Sequence, residues 1–398
     1  MALQNQRDIF SIPDHITYLN TAYISPSFKA VERAGLDAVM RKSQPFDISP
    51  SDFFDPVTEV KKLFAKLVEV EDYNRIATVP SASYGIANVA NNIHLNENDE
   101  IIVLEGQFPS NVYAWQILAD KYGAKLITIN APKTSKNSVK QWNLDILNAI
   151  NDKTAVVAMA HIHWSNGILF DLNAIREKTK QHSALLIIDG SQSVGALPFS
   201  VKDLQPDALI CAGYKWLFGP YACGYAYYGP YFDNGVPIEN NWANRLHSED
   251  FSGLTRYEAE YKPLAGRYTM GESGSFIAIP MQLEALKQLI EWTPKAIQDY
   301  CKDISSEAVE ELKSLGCHIE DESDRAHHLF GITLPEELDI ETFKHSLKEH
   351  HIYLSFRGHY IRISCHLFNT KDDFDKLVKC MALALQKKKL FWKNILIL

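Results

Sequence analysis

Leu185-Leu186-Ile187-Ile188-Asp189-Gly190-Ser191-Gln192 is an apolar run that ends on a carboxylate, a glycine and two polar residues. Four consecutive aliphatic side chains leave no polar face, so the strand they predict is covered on both sides. Working outward, similar runs recur at 75–79, 100–104, 125–129, 155–160, 208–211 and 224–228. Between them, 83–94, 111–122, 144–151 and 172–182 carry apolar residues at three- and four-residue spacing, the period of a helix with one buried face. Buried strands alternating with helices predict an α/β domain whose mostly parallel sheet is covered on both faces. A second α/β region follows Pro280, with helices over 281–291, 297–315 and 340–350 and strands over 327–334 and 360–365. The 398 residues suffice for two domains of ordinary size, a large one and then a smaller one.

Composition narrows the function classes. With 46% apolar and 22% charged residues, disordered and collagen-like chains are excluded. Forty Lys and Arg against 49 Asp and Glu give −9 at pH 7 with no basic block. That argues against a nucleic-acid partner, whose binding rests on neutralising phosphates. Six cysteines without a CxxC pair disfavour a disulfide framework or a cysteine zinc site, and suit a reducing cytoplasm. The N-terminal MALQNQRDIF lacks the apolar core of a signal peptide, and no run approaches the roughly 20 apolar residues of a membrane span. No membrane partner is expected. The apolar tail 390–398, behind Lys387-Lys388-Lys389, reads as a segment packed on a core or on a subunit neighbour.

Ligands of an open α/β sheet gather at the carboxyl ends of its strands. After 75–79 comes Pro80-Ser81-Ala82-Ser83-Tyr84-Gly85 at the head of a helix. Free N–H groups, small side chains and hydroxyls there suit a phosphate, and equally a plain serine cap. Phe108, beyond 100–104, is either a core or lid residue or a face for a planar ring. Asp189 is costly at a strand's end unless paired; it caps a turn or holds a cationic ring nitrogen, and Gln192 is near enough to serve the same ligand. Gly213-Tyr214-Lys215-Trp216-Leu217-Phe218-Gly219-Pro220 sets Lys215 before a largely apolar stretch, where an amine becomes nucleophilic; the bland alternative is a snorkelling surface lysine. His161 and His163 alternate on a strand, but without a third ligand they read as core or site-edge histidines, and no metal is expected. His327-His328 and His350-His351 read as surface or domain-edge residues. A phosphate cup, a stacking ring, a carboxylate and a lysine, in chain order at the exits of one sheet, are together what pyridoxal 5′-phosphate requires.

These motifs resemble those of the class V aminotransferase family of fold-type I pyridoxal-phosphate enzymes, which includes cysteine desulfurases, selenocysteine lyases, kynureninase and isopenicillin N epimerase-like proteins. The resemblance begins at Tyr18-Leu19-Asn20-Thr21-Ala22-Tyr23 and continues through Ser81-Ala82-Ser83-Tyr84-Gly85 and Phe108-Pro109-Ser110-Asn111. It is strongest at Asp189-Gly190-Ser191-Gln192 and Gly213-to-Pro220, and closes with Ile361-Arg362-Ile363-Ser364. It implies a large cofactor domain (23–280) with a mostly parallel seven-stranded sheet, a smaller α/β C-terminal domain (281–398), and an N-terminal arm (1–22) joining the latter. It further implies that Lys215 carries the internal aldimine and shuttles the Cα proton, and that Asp189 keeps the pyridine nitrogen protonated. Gln192 donates to the phenolic oxygen with Asn166 near the same edge, Phe108 stacks on the ring, and Ser81, Ala82 and Ser83 hold the phosphate, helped by Tyr214. Arg362 binds the substrate α-carboxylate; Ala22 lies on the substrate-side loop, and Trp242 and Arg245 line the substrate mouth. Glu272 and Ser273 complete the phosphate site from a second subunit, which implies a homodimer.

Three departures qualify the resemblance. The interval 355–361 holds no cysteine to take sulfur as a persulfide, and Cys365 falls on a strand where it reads as core. Tyr214 stands where desulfurases place a histidine, and Glu272 brings negative charge beside the phosphate place. The expectation is a cytoplasmic, homodimeric enzyme acting on an amino acid through an external aldimine and Cα deprotonation, class V aminotransferase-like. A relay-free cysteine or selenocysteine lyase is the alternative, and a pyridoxal-phosphate-binding protein without turnover is the rival from another class.

Overall fold

The computed structural model describes residues 3–132, 138–358 and 360–395, with side chains through 386. Its strands, in chain order, are β1 (Thr17–Tyr18), β2 (Ile76–Val79), β3 (Glu100–Leu104), β4 (Lys125–Ile129), β5 (Thr154–Ala160), β6 (Leu185–Asp189), β7 (Ala208–Cys211), β8 (Gly224–Tyr228), β9 (Leu329–Thr333), β10 (Ile352–Tyr353), β11 (Ser355–Arg357) and β12 (Tyr360–Ser364). Seven of them form one sheet in the order β2-β8-β7-β6-β5-β3-β4. Neighbours from β4 across to β7 pair in parallel, and β8 runs antiparallel to both β2 and β7. The expected mostly parallel α/β sheet is the one observed.

The unbroken apolar runs have a direct physical use. Alternate side chains of a strand point to opposite faces, and here both faces are buried. Leu186 and Ile188 join one core with Ile102, Met159 and Leu209, while Ile187 joins the other with Val103, Ala158 and Ile210. Helices Ala82–Asn91 and Tyr113–Tyr122 contribute Ile86, Val89, Trp115 and Leu118 to the second core, and Leu172–Gln181 contributes Ile175 to the first. Each fully buried aliphatic side chain is worth about 1.5–3 kcal/mol, so a polar residue inside any of these runs would be strongly opposed.

In the C-terminal region β9, β11 and β12 form an antiparallel sheet in the order β11-β12-β9. The N-terminal β1 pairs in parallel with β10, tying the first residues to the last third of the chain. Two helices were not legible from periodicity, Lys29–Arg41 and Asp55–Leu67, and both pack on helix Ala278–Trp292. Lys29–Arg41 buries only Val31, Gly35 and Ala38 while exposing Leu36, Val39 and Met40, so its apolar residues mark no single face. The apolar tail 390–398 lies outside the described side chains. Among the described residues no helix is long and apolar enough to cross a membrane.

All six cysteines are free and buried. Cys365 has no exposed surface, and its Sγ donates to the His327 carbonyl at 3.6 Å, the core role expected of it. Cys365→Ser should therefore keep kcat within about twofold, because the hydroxyl can take over that bond, and lower stability by about 1 kcal/mol. Turnover and the urea midpoint measured together check this; an inactive but folded variant would return sulfur relay to consideration.

Candidate active site

The carboxyl ends of β2, β3, β5, β6 and β7, with the start of β8, enclose one cavity of about 280 Å³. Ser81, Ala82, Ser83, Phe108, Asp189, Gln192, Tyr214 and Lys215, eight residues singled out from sequence, all border it. Ser81 is extended and caps helix Ala82–Asn91, its Oγ accepting from the Tyr84 N–H at 3.1 Å. The N–H groups of Ala82 and Ser83 are among those a helix start leaves without an internal partner. Ser83 Oγ bonds Ser110 Oγ at 2.9 Å, tying this helix start to the loop after β3. The serine cap and the anion-ready helix start thus coexist, one residue apart.

Phe108 is 40% exposed, set edge-on against Trp164 at 5.5 Å, with Lys215 Nζ 5.4 Å from its ring centroid. It is a wall of the cavity rather than core. Asp189 Oδ1 accepts from the Ser191 N–H at 2.9 Å, and its second oxygen has no protein partner among the described residues. Gln192 is held by Trp216, whose Nε1–H donates to Oε1 at 3.0 Å, and by the Ala22 carbonyl, which accepts from Nε2 at 3.2 Å. A carboxamide nitrogen carries two hydrogens, so one N–H of Gln192 is left for a ligand.

Beneath Gln192 lies a correction. His328 is fully buried, not at the surface or a domain edge, with its ring 4.3 Å from Trp216. Its Nδ1 accepts from Gln298 Nε2 at 2.7 Å and its Nε2–H donates to the Gln192 carbonyl at 2.9 Å. Burial takes it down to about 3, so it is neutral in that tautomer. A histidine at the entry to β9 reads as exposed only until that strand's start is packed against the end of the large sheet.

Lys215 owes its position to Gly213. A Cβ at Gly213 would overlap the Cys223 carbonyl, so only glycine allows the β7–β8 connection to close there. The loop is sealed by the Gly219 N–H donating to the Gly213 carbonyl at 2.9 Å. Lys215 is 7% exposed, which excludes the snorkelling alternative. Burial lowers its pKa to about 8; Asp189 pulls the other way, and the Arg362 and Arg357 charges add to the lowering. At pH 6, two units below, only about 1% is free amine. The rate at which apoprotein takes up an aldehyde on Lys215 should therefore rise about tenfold per pH unit up to about 8 and then level off. Absorbance-monitored reconstitution across pH 6–10 checks this, and a flat profile would count against a buried amine.

Arg362, on β12, is 1% exposed. Its Nη1 donates to the Trp164 carbonyl at 2.6 Å, while Nε and Nη2 have no partner among the described residues. Burial, with the nearby Arg357 charge, brings it down to about 10, so it stays cationic at neutral pH. A buried cation with donors to spare costs several kcal/mol unless an anion completes it. Its geometry depends on Gly331, directly opposite in the β9–β12 register. A Cβ at Gly331 would come within 2.5 Å of the Asn166 carbonyl oxygen; its absence lets the 164–166 segment lie on β9 and bring the Trp164 carbonyl to Arg362.

Other expected residues lie elsewhere. Asn166 does not border the cavity: its Oδ1 accepts from the Ile168 N–H at 3.2 Å, folding back on its own turn, and Trp164 occupies the cavity wall instead. Ala22 is buried one layer back, positioning Gln192. Trp242 packs against Phe53, Phe54 and Phe251, away from the cavity. Arg245 donates to the Ala259 carbonyl at 2.6 Å and Asn240 Oδ1 at 3.0 Å, and lies 3.9 Å from the Tyr261 ring centroid, so its own loop consumes it. Glu272 and Ser273 line a separate depression of about 470 Å³ with Phe53, Phe54 and Trp242. His161 has no partner at Nδ1, His163 Nε2 faces the Glu105 carbonyl at 3.2 Å, and burial takes both down to about 4. Among the described residues no three His, Cys, Asp or Glu side chains gather as metal ligands.

Sequence reasoning missed Trp164 and Cys223 in the cavity wall and Arg357 beside it. Cys223 is not poised as a nucleophile, since burial pushes its thiol up to about 12. The cavity is lined by helix-start N–H groups and serine hydroxyls, a carboxylate with one oxygen unpaired among the described residues, a buried amine and an aromatic wall, a set of groups that fits pyridoxal phosphate.

Comparisons with known proteins agree with that reading of the fold. The family model for class-V aminotransferases matches residues 49–377. The uncharacterized aminotransferase YcbU of Bacillus subtilis (strain 168) is 24% identical over 311 residues, covering 78% of this chain and 79% of its own. A probable cysteine desulfurase of Staphylococcus epidermidis is 25% identical over 344 residues, covering 80% and 77%. Among solved structures, the cysteine desulfurase CsdA of Escherichia coli superposes with a TM-score of 0.79 at 18% identity over 96% of this chain and 97% of that one. The cystine C-S lyase C-DES does so with a TM-score of 0.81 at 18% identity over 93% and 98%.

Proposed function

We propose, from the premise that the chain belongs to the class-V aminotransferase family and is a pyridoxal-phosphate-dependent enzyme, that it removes the Cα proton of an amino acid and transfers its amino group. The cofactor, when bound, supplies the electron sink that makes a Cα–H acidic. Everything else falls to the chain. Lys215 Nζ is the attachment point and moves the Cα proton; an amine lowered to about 8 by burial can both give and take a proton near neutrality. Asp189 holds the proton on the ring nitrogen, Gln192 and Phe108 fix the ring's edge and face, and the Ser81–Ser83 helix start, with Tyr214, binds the phosphate. Arg362 orients the α-carboxylate. Family membership makes the chain an enzyme, which sets aside the binder without turnover.

The observation that carries this reading is the Arg362 guanidinium, 1% exposed with Nε and Nη2 unpartnered among the described residues, which does not border the cavity itself but holds the Trp164 wall and whose charge acts on Lys215. A binder of cofactor alone has no use for it. The reading divides the chain into an arm (1–22), a large domain (23–280) and a small one (281–398), supported by the β1–β10 pairing. It also makes the enzyme a homodimer, supported by the exposed Leu36, Val39 and Met40 and by the open depression at Glu272 and Ser273, the residues expected to reach a partner's phosphate site.

The experiment is an amino-acid panel on holoenzyme with keto acid, ammonia and sulfide scored separately, and sedimentation on the same preparation. Keto acid formed only with an acceptor supports amino transfer. Sulfide from cysteine without keto-acid exchange would replace it with C–S cleavage, and a monomer would remove the dimer.

A further inference from the structure

Arg357 ends β11, and the hairpin register pairs it with Tyr360 and pairs Ser355 with Arg362. Opposed residues of neighbouring strands share a face, as do residues two apart on one strand. Arg357 and Arg362 therefore project from the same face of the β11–β12 hairpin. On that face Arg362 reaches the Trp164 carbonyl, and the Arg357 guanidinium carbon lies 5.4 Å from the centroid of the Trp164 ring, which borders the cavity. The Arg357 charge acts on both Arg362 and Lys215.

Among the described residues neither cation has a carboxylate partner. Among the described residues the arginines that form ion pairs are Arg33, Arg41, Arg75, Arg176 and Arg256. Arg357 donates from Nη1 to the Phe356 carbonyl at 2.9 Å, and its Nε is buried without a partner among the described residues. A buried guanidinium with a second, partly buried one beside it on the same face is a costly arrangement for one carboxylate, and a fitting one for two. The α-carboxylate of an amino acid supplies only the first.

We propose that Arg357 selects the substrate's side chain, and that the substrate is a dicarboxylic amino acid whose second carboxylate meets the Arg357 guanidinium beside the Trp164 ring. This rests on the reading above, in which Arg362 takes the α-carboxylate. The guanidinium fork matches a carboxylate in two parallel hydrogen bonds, and the indole gives the intervening methylenes an apolar surface. A neutral side chain of the same length would leave the Arg357 donors unpaired, and that mismatch is the source of discrimination.

The test compares wild-type holoenzyme with Arg357→Gln and Arg357→Lys. Calorimetry of succinate and glutarate against butyrate, which need no turnover, should show the dicarboxylates binding about 10- to 100-fold tighter to the wild type, an advantage that Arg357→Gln abolishes and Arg357→Lys partly restores. In turnover, the kcat/KM ratio of aspartate to asparagine, or of glutamate to glutamine, should fall by a similar factor in Arg357→Gln. Equal binding of mono- and dicarboxylates to the wild type would overturn the proposal, as would an Arg357→Gln variant that weakens both alike. Response to neutral amino acids with no acidic preference sinks this inference and leaves the function standing. Silence toward every amino acid sinks the function, and the calorimetric comparison then decides the arginine pair independently.

Discussion

Lys215→Ala is expected to lower amino-acid turnover by about 10⁴-fold or more and to leave no borohydride-stable link between protein and cofactor. Two roles disappear together, nucleophile and proton carrier, and losses of residues that act in concert with the reacting atoms reach that size. The variant should nevertheless fold. In the apoprotein the amine's pKa is depressed from 10.5 to about 8, so the unfolded chain holds that proton more tightly than the folded one. The resulting cost to stability is full below about pH 8 and disappears as pH rises toward the unfolded value. Removing the amine should therefore stabilise the apoprotein at pH 7, and the gain should vanish by about pH 10.5. Thermal melts of apoprotein across that range, with peptide mapping after borohydride reduction, check both halves. A reducible adduct on another lysine would refute the assignment.

Arg362→Gln is expected to weaken amino-acid binding by about 100-fold or more while the cofactor stays bound, since a charge-assisted bidentate contact becomes at best one neutral hydrogen bond. Glutamine can still donate to the Trp164 carbonyl, which Arg362 now holds at 2.6 Å, so the loss is confined to the anion. Arg362→Ala would add a cavity and an unpaired buried carbonyl, and should cost stability as well. Spectral titration with amino acids, set beside cofactor retention on gel filtration, separates these effects. Equal loss of cofactor and amino-acid affinity in Arg362→Gln would show that the guanidinium supports the fold of the site rather than the substrate.

The large sheet was legible because each buried strand announces itself through its own residues. Leu185–Asp189 and Glu100–Leu104 begin and end where their apolar runs do, and the ligand-binding edge follows from strand direction. The residues just past those ends inherit their placement from the strand, which is why Ser81, Phe108, Asp189 and Lys215 came to one cavity. Helix Lys29–Arg41 was hidden because its apolar residues face outward as well as inward.

Residues without a strand or helix to aim them were settled by packing between distant parts of the chain. In His163-Trp164-Ser165-Asn166 nothing local says whether the tryptophan or the asparagine meets the cavity; Gly331, 165 positions further on, decides it by letting that turn lie flat on β9. His328 is buried because β9 starts against the large sheet, and Arg245 is occupied because its loop closes on Tyr261. The pairing of Arg357 with Arg362 on one face is a matter of hairpin register. Periodicity reports which face of an element is buried, whereas the meeting of two elements depends on side chains that only chain folding makes neighbours.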